Sequence, residues 1–364
     1  MGKEWKGSWG RVFALALLLA LVWGMVPQAM MHEALAEEPD AAAEGEADAD
    51  VDSADAKADS DDDAEEPTLT EQSASVSDPQ VVVTDSMSAG QVTTWDCVWL
   101  GSYPQTCVDD AALAAELDAA TGWDADGDLS YNGQTYRRLS ESDATNSSWW
   151  EWSDAVSPAG WYYFRWEPIK WRVLEVNGDT ALVVADVALD VQKYNEIETS
   201  VTWATCTLRS WLNNDFLSDF LPAAQRDTVP AATLANDDNI RFSTSGGEAT
   251  SDRVFLLAES DMWNGADATR HGFVTAYDAD DEARGCKTSD YAYVMGAQRR
   301  SYSDTCVWWL RSPGEYGSYA NCVNNNGQVS TIGWNADYGT SAVRPALTLR
   351  LSSPYVSWAG RVSS

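Results

Sequence analysis

Histidine is nearly missing from this chain. Two occur in 364 residues, His32 and His271, and the scarcity removes whole classes of chemistry. Zinc or iron centres built on several imidazoles have no ligands within one chain. A Ser-His-Asp or Cys-His device would have to use His271, and no Gly-x-Ser-x-Gly elbow accompanies it. Basic residues are also few: 23 Lys and Arg stand against 57 Asp and Glu, for a net charge of −34. That balance excludes the clustered cations that bind nucleic acid and docking on an anionic lipid surface. A glycine-rich phosphate loop is missing. So is any Cys-x-x-Cys pair, which argues against zinc at the cysteines.

What is present starts with a leader. Lys3, Lys6 and Arg11 precede an apolar run from Val12 to Val26, followed by Ala34-Leu35-Ala36. This reads as a signal peptide over 1–36, cleaved after a small-x-small site. The alternative is an uncleaved anchor, but the run falls short of the roughly 20 residues that cross a bilayer. No Cys follows it for lipidation, and no second apolar run or sortase-type signal stands near the C-terminus. The expectation is a secreted, extracellular protein, released or held at the cell surface by non-covalent contacts. The membrane is involved only through the leader.

Residues 37–90 hold 18 Asp or Glu and one Lys, and no aromatic residue. Their net charge of −17 is half that of the chain. Such a block cannot bury enough apolar surface to offset the entropy of ordering, so it reads as a disordered acidic linker. All six cysteines (Cys97, Cys107, Cys206, Cys286, Cys306, Cys322) follow the leader. In an exported chain an even number suggests disulfides. Cys97–Cys107 and Cys306–Cys322 are the simplest local pairs, and buried free thiols are the alternative.

From Thr93 the composition reverses. The 16 tryptophans outside the leader fall between Trp95 and Trp358. Strand-like runs recur, as in "WYYFRW", "IKWRVLEV" and "TALVVADVAL", with Asn177-Gly178 and Asn326-Gly327 as hairpin turns. Two helices are expected. One covers Asp109 to Thr121, capped by Asp109 or Asp110. The other covers Ala204 to Leu221, with Leu208, Trp211, Leu212, Phe216 and Phe220 on one face. Helices among short antiparallel strands read as an α+β domain.

An ordered set of segments resembles a known family. "GSYPQ" (from Gly101), "YNGQTYRRL" (from Tyr131), "EPIKWRVL" (from Glu167), "LRSWLNNDF" (from Leu208), "DRVFLLAES" (from Asp252), "WWLRSPG" (from Trp308) and "VRPALTL" (from Val343) are similar to the DUF6273 domain of exported bacterial proteins. The family name records no function. The C-terminal half also resembles the C-type-lectin-like fold of formylglycine-generating enzymes and retroelement variable proteins. Together these imply a lectin-fold domain over 91–355, with 356–364 as a C-terminal tail. In that fold the stretch Glu315 to Thr340 would display a ligand-reading surface.

Eight residues of the stretch combine flat apolar faces with hydrogen-bonding groups: Tyr316, Tyr319, Asn321, Asn324, Trp334, Asn335, Asp337 and Tyr338. Sugars carry the complementary mixture of C–H faces and hydroxyl rims. The partner expected is a glycan or a surface protein. The plain alternative is turn and solvent-face residues. At least one of Trp308 and Trp309 reads as core, and Arg311 and Arg344 as clamps on buried carboxylates. No catalytic residue and no cofactor are assigned. Calcium at Asp124, Asp126 and Asp128 is an open possibility, although the EF-hand spacing is incomplete. The leading expectation is thus a non-catalytic recognition module. A glycan hydrolase using two carboxylates and a structural surface protein without a small ligand are the alternatives.

Overall fold

A computed structural model describes residues 76–83, 91–145, 155–263, 271–273, 280–300 and 303–364. The leader and nearly all of the acidic block lie outside them. Among the described residues 39% are strand and 17% helix. The expectation of an α+β, lectin-like domain is therefore corrected. The domain is β-rich and largely antiparallel, and its helices are short caps on sheets, not a layer of their own.

Two long strands organise the larger sheet: β2 (Gln91–Cys107) and β5 (Trp161–Asn177). Along β5, Ile169, Trp171 and Val173 alternate with Lys170 and Arg172, the period of a strand with one buried face. Those three are almost wholly buried, and the Trp171 indole N–H donates to Leu100 O at 2.9 Å. Strands β1 (Gln80–Val83), β2, β5, β6 (Thr180–Ala185), β15 (Ala346–Arg350) and β10 (Val254–Phe255) run in that order across the sheet. Two further strands, β3 (Asp128–Tyr131) and β4 (Gln134–Ser140), attach through the start of β5. The last, β16 (Ser357–Ser363), pairs with β2. So Gln80–Val83, read as linker, and Ser357–Ser363, read as tail, both belong to the sheet. The hairpin at Asn177-Gly178 forms as the dipeptide predicts, with Asn177 opposite Thr180.

The smaller sheet holds β13 (Val329–Asn335), β12 (Tyr319–Val323), β11 (Trp308–Pro313), β14 (Ala342–Val343) and β7 (Asp190–Val191) in that order. Of its pairings only β11 with β14 is parallel. The stretch read as one final strand, Val343 to Leu349, is divided. Ala342–Val343 belongs to the small sheet and Ala346–Arg350 to the large one, with Arg344-Pro345 between them. A proline cannot donate to a ladder, so the break falls there. A separate ribbon pairs β8 (Ala232–Leu234) with β9 (Thr250–Asp252).

Both predicted helices form. Helix α1 (Ala111–Ala119) is capped by Asp110, whose carboxylate accepts from the N–H groups of Ala112 and Leu113. The second helical stretch has α2 (Thr207–Trp211) and α3 (Leu217–Phe220) joined by a π turn over Leu212–Phe216. Leu208, Leu212, Phe216 and Phe220 are buried as the periodicity predicts, and Trp211 is half-buried. Two single turns or so complete the inventory: α4 (Glu259–Met262) and α5 (Asp290–Met295).

Candidate functional site

The hairpin of β12 and β13 carries most of the predicted ligand residues, and its register decides where each one points. Tyr319 faces Asn335, and Ala320 faces Trp334. The next pair is Cys322 with Ser330, so β13 contains two extra residues between these points. That bulge lifts Ile332 to 46% exposure while Thr331 and Gly333 stay buried. Its tip is fixed by a close approach. Gly327 has φ +82°, and a Cβ there would meet the carbonyl oxygen of Asp281 at 1.9 Å, so only glycine fits.

At the open end two aromatic pairs form. Tyr316 and Tyr319 pack edge to face at 5.3 Å, and Trp334 and Tyr338 do so at 4.8 Å. The Glu315 carboxylate beside it pushes the pKa of the Tyr316 phenol up. Asn335 donates to Glu198 at 3.1 Å. Asp337 is half-buried in the turn closed by the bond from Tyr338 N–H to Asn335 O.

Two loops frame this end. One is tied down by bonds from Asn195 N–H to Ala336 O and from Val201 N–H to Gly317 O. The other is held by Asn239, which donates to Pro313 O and Thr331 O at 2.8 Å each, and by Thr244, which donates to Glu315 O at 2.6 Å. Seven large apolar or aromatic side chains are exposed among the described residues: Val82, Ile197, Ile240, Tyr316, Ile332, Tyr338 and Tyr355. Five of these, all but Val82 and Tyr355, sit on the hairpin or on its two framing loops. Scattered exposed apolar residues need no explanation, but a concentrated set does.

Two predicted ligand residues do not join the face. Asn321 has no exposed surface, and its amide donates to Glu259 Oε2 at 2.8 Å behind the hairpin. Asn324 lies at the tip, five residues from Tyr319, or about 17 Å along a strand. The residues that sequence reasoning missed are Ile197, Glu198, Ile240, Glu315 and Ile332. Their neighbours in sequence gave no signal, because loops distant along the chain bring the first three to the hairpin.

Behind the face lies a buried polar cluster. Glu259 is 3% exposed; its backbone N–H donates to Ser312 Oγ at 2.8 Å, and its Oε1 has no partner. Burial pushes its carboxyl up to about 7, against opposing hydrogen bonds from the Ile240 backbone and Asn321. Asp261, half-buried, is held below the usual carboxylate range because Arg311 and His271 outweigh its desolvation. Arg311 meets Asp261 at 2.9 Å, the carboxylate clamp expected of it. His271 lies 3.3 Å from Glu175 and 3.2 Å from Asp261 O. These two carboxylates have separated proton affinities, as an acid–base pair needs, but Glu259 is closed off from any substrate by the hairpin.

Arg344 departs from its expected role. It has no exposed surface, its Nε donates to Ala185 O at 2.8 Å, and neither Nη has a hydrogen-bond partner. Its guanidinium lies 5.0 Å from the Trp308 ring. Trp308 and Trp309 are both fully buried. At the suggested calcium loop, Asp124 accepts from the N–H groups of Asp126 and Asp128. Asp128 is committed to Arg137 through two bonds, 2.9 and 2.7 Å. The loop is thus built from its own hydrogen bonds and a bidentate ion pair.

The cysteine pairs expected from sequence are also corrected. Cys97 and Cys107 lie on one strand, ten residues apart, or about 30 Å at strand rise. Cys322 stands opposite Trp309, three residues along from Cys306. All six thiols are buried and free. A disulfide needs Cα atoms within about 7 Å, and neither local pair meets it.

A search of the curated proteins gives no match, and neither does a search of the solved structures. The model of one family does match, over residues 177–351, a span that holds the face, the polar cluster and the small sheet but leaves out β1 to β4 and almost all of β5. Over that span the chain is similar to DUF6273, a domain of unknown function.

Proposed function

We propose that this chain is an exported, non-catalytic recognition module that takes a glycan on the face made by Tyr316, Tyr319, Trp334 and Tyr338. One observation carries the reading: among the described residues, five of the seven exposed large apolar side chains lie on this hairpin or on the two loops hydrogen-bonded to it. Two edge-to-face aromatic pairs there offer flat apolar contact, and Asn335, Glu198 and Glu315 offer hydrogen bonds beside it. That is the mixture a sugar ring complements. Export is supported by the basic-then-apolar leader and its small-residue site. The acidic block after it would hold the domain away from the cell.

The test is binding of the purified chain to a glycan array, with calcium and with chelator. Tyr316→Ala/Tyr338→Ala removes two exposed rings without touching the core. A glycan bound by the native chain and lost by the variant supports the reading. An array with no hit, or hits unchanged in the variant, removes the glycan and leaves the face to protein contact or solvent.

A further inference from the structure

Cys286 and Cys306 stand opposite each other on two short antiparallel segments. Lys287 and Thr305 form the bridge between them. On either side of it the ladder closes, with Cys306 N–H donating to Cys286 O at 2.8 Å and Thr288 N–H to Asp304 O at 3.4 Å. Directly opposed residues in such a ladder have Cα atoms about 5.5 Å apart and side chains on the same side. Disulfides favour a Cα separation of about 5.5 to 6 Å. In the reduced chain the Cys286 thiol donates to Lys287 O at 3.4 Å.

In the folded chain the two thiols sit in unequal surroundings. Burial pushes the Cys286 thiol up, but the neighbouring Cys306 and the guanidiniums of Arg344 and Arg172 outweigh it and lower that thiol. Cys306 is pushed up by Cys286 and by burial. Arg344, whose two Nη groups lack hydrogen-bond partners, supplies a buried positive charge beside this pair.

The other four cysteines have different neighbours. Cys97 donates to Trp95 O and Cys107 to Val108 O. Cys206 serves as the N-cap of α2 and donates to Trp203 O at 3.4 Å. Cys322 donates to Asn324 Oδ1 at 3.9 Å.

We propose that Cys286 and Cys306 are a disulfide-forming pair whose cross-strand bond closes the segment containing α5. The oxidant is an external disulfide, either a small-molecule one or that of a thiol oxidoreductase. The thiolate of either cysteine attacks it, forms a mixed disulfide and expels one thiolate. The other cysteine, having lost its proton, then attacks that protein sulfur and expels the second. Two electrons leave the cysteine pair, and the external disulfide becomes two thiols. Both sulfurs are buried, so the exchange takes place before the core closes over them.

The test uses the full chain folded in an oxidised and reduced glutathione couple, then denatured and alkylated without reductant. Four of the six cysteines take the label. Tryptic digestion gives a linked species joining Gly285–Lys287 to Ser301–Arg311. Reduction lowers the melting midpoint of the native chain by roughly 5 °C and leaves that of Cys286→Ser unchanged. Six labelled cysteines, or a link through any other cysteine, overturns the proposal. Should Cys286→Ser fail to fold, the peptide map of the native chain decides alone.

Discussion

The small sheet uses the same kinds of residue in two settings. In its inner part, buried on both sides, Trp308, Trp309 and Asn321 have no contact with water. At the outer end, Tyr316, Trp334, Asn335 and Tyr338 are exposed or half-exposed. Residue type does not separate these sets; place in the sheet and the bulge do. The buried inner rings hold the sheet to the core, while those at the outer end contribute little to folding and stay free to contact a ligand.

Four substitutions would sharpen or break that contrast. The largest effect belongs to the inner face. Trp309 packs at 5.9 Å against Tyr194 and donates to Gln192 O at 3.0 Å. Trp309→Ala lowers unfolding free energy by about 3 to 5 kcal/mol in a denaturant titration. A loss below about 1 kcal/mol would show that the inner face is not the anchor. Next comes the hairpin tip. Gly327→Ala forces a Cβ into Asp281 O at a left-handed backbone position, with a loss of about 2 to 3 kcal/mol in the same titration.

The third prediction concerns pH. The folded chain keeps a proton on Glu259 up to about pH 7, whereas an unfolded glutamate releases it near 4.3, as a general value of roughly that size. The stabilisation is therefore full below about pH 4.3 and is lost as pH rises through about 7. Glu259→Gln stays neutral throughout. Between pH 5 and 8 the native chain loses about 2 to 3 kcal/mol relative to the variant. Parallel curves for the two would show that Glu259 ionises freely. Asp190, pushed up to about 6 by burial, acts in the same direction and is untouched by the substitution.

The smallest effect on folding belongs to the outer end. Tyr316→Ala changes stability by less than about 0.5 kcal/mol, and its consequence is read in ligand binding alone. A large loss of stability there would erase the distinction between the faces.

Local chemistry made much of this visible beforehand. Asn177-Gly178 and Asn326-Gly327 announced their hairpins, Asp110 its helix, and the Trp308-Trp309 pair its burial. These signals lie within a few residues of the structure they specify. What escaped depends on distant partners. Asn321 turns inward because Glu259 awaits it and β13 bulges beside it. Cys286 finds Cys306 across a ladder that neither segment foretells. The segments 80–83 and 357–363 read as linker and tail because each is short and joined to no other strand signal, until β2 supplies the pairing groups. The helix periodicity was right, yet it overstated the weight of helix in the fold, since each helix covers only a patch of sheet.

The pairing of β16 with β2 has a temporal consequence. Ser363 faces Thr94, so the large sheet stays incomplete until the last residues of β16 arrive beside some of its first. Contacts between such remote segments close slowly, because a long loop must be ordered before they form. During synthesis from the N-terminus, β2 waits with one edge unpaired while the rest of the domain is made. Full closure becomes a signal that synthesis has passed β16, and removal of residues 357–363 would leave a folded interior with an open, adhesive border.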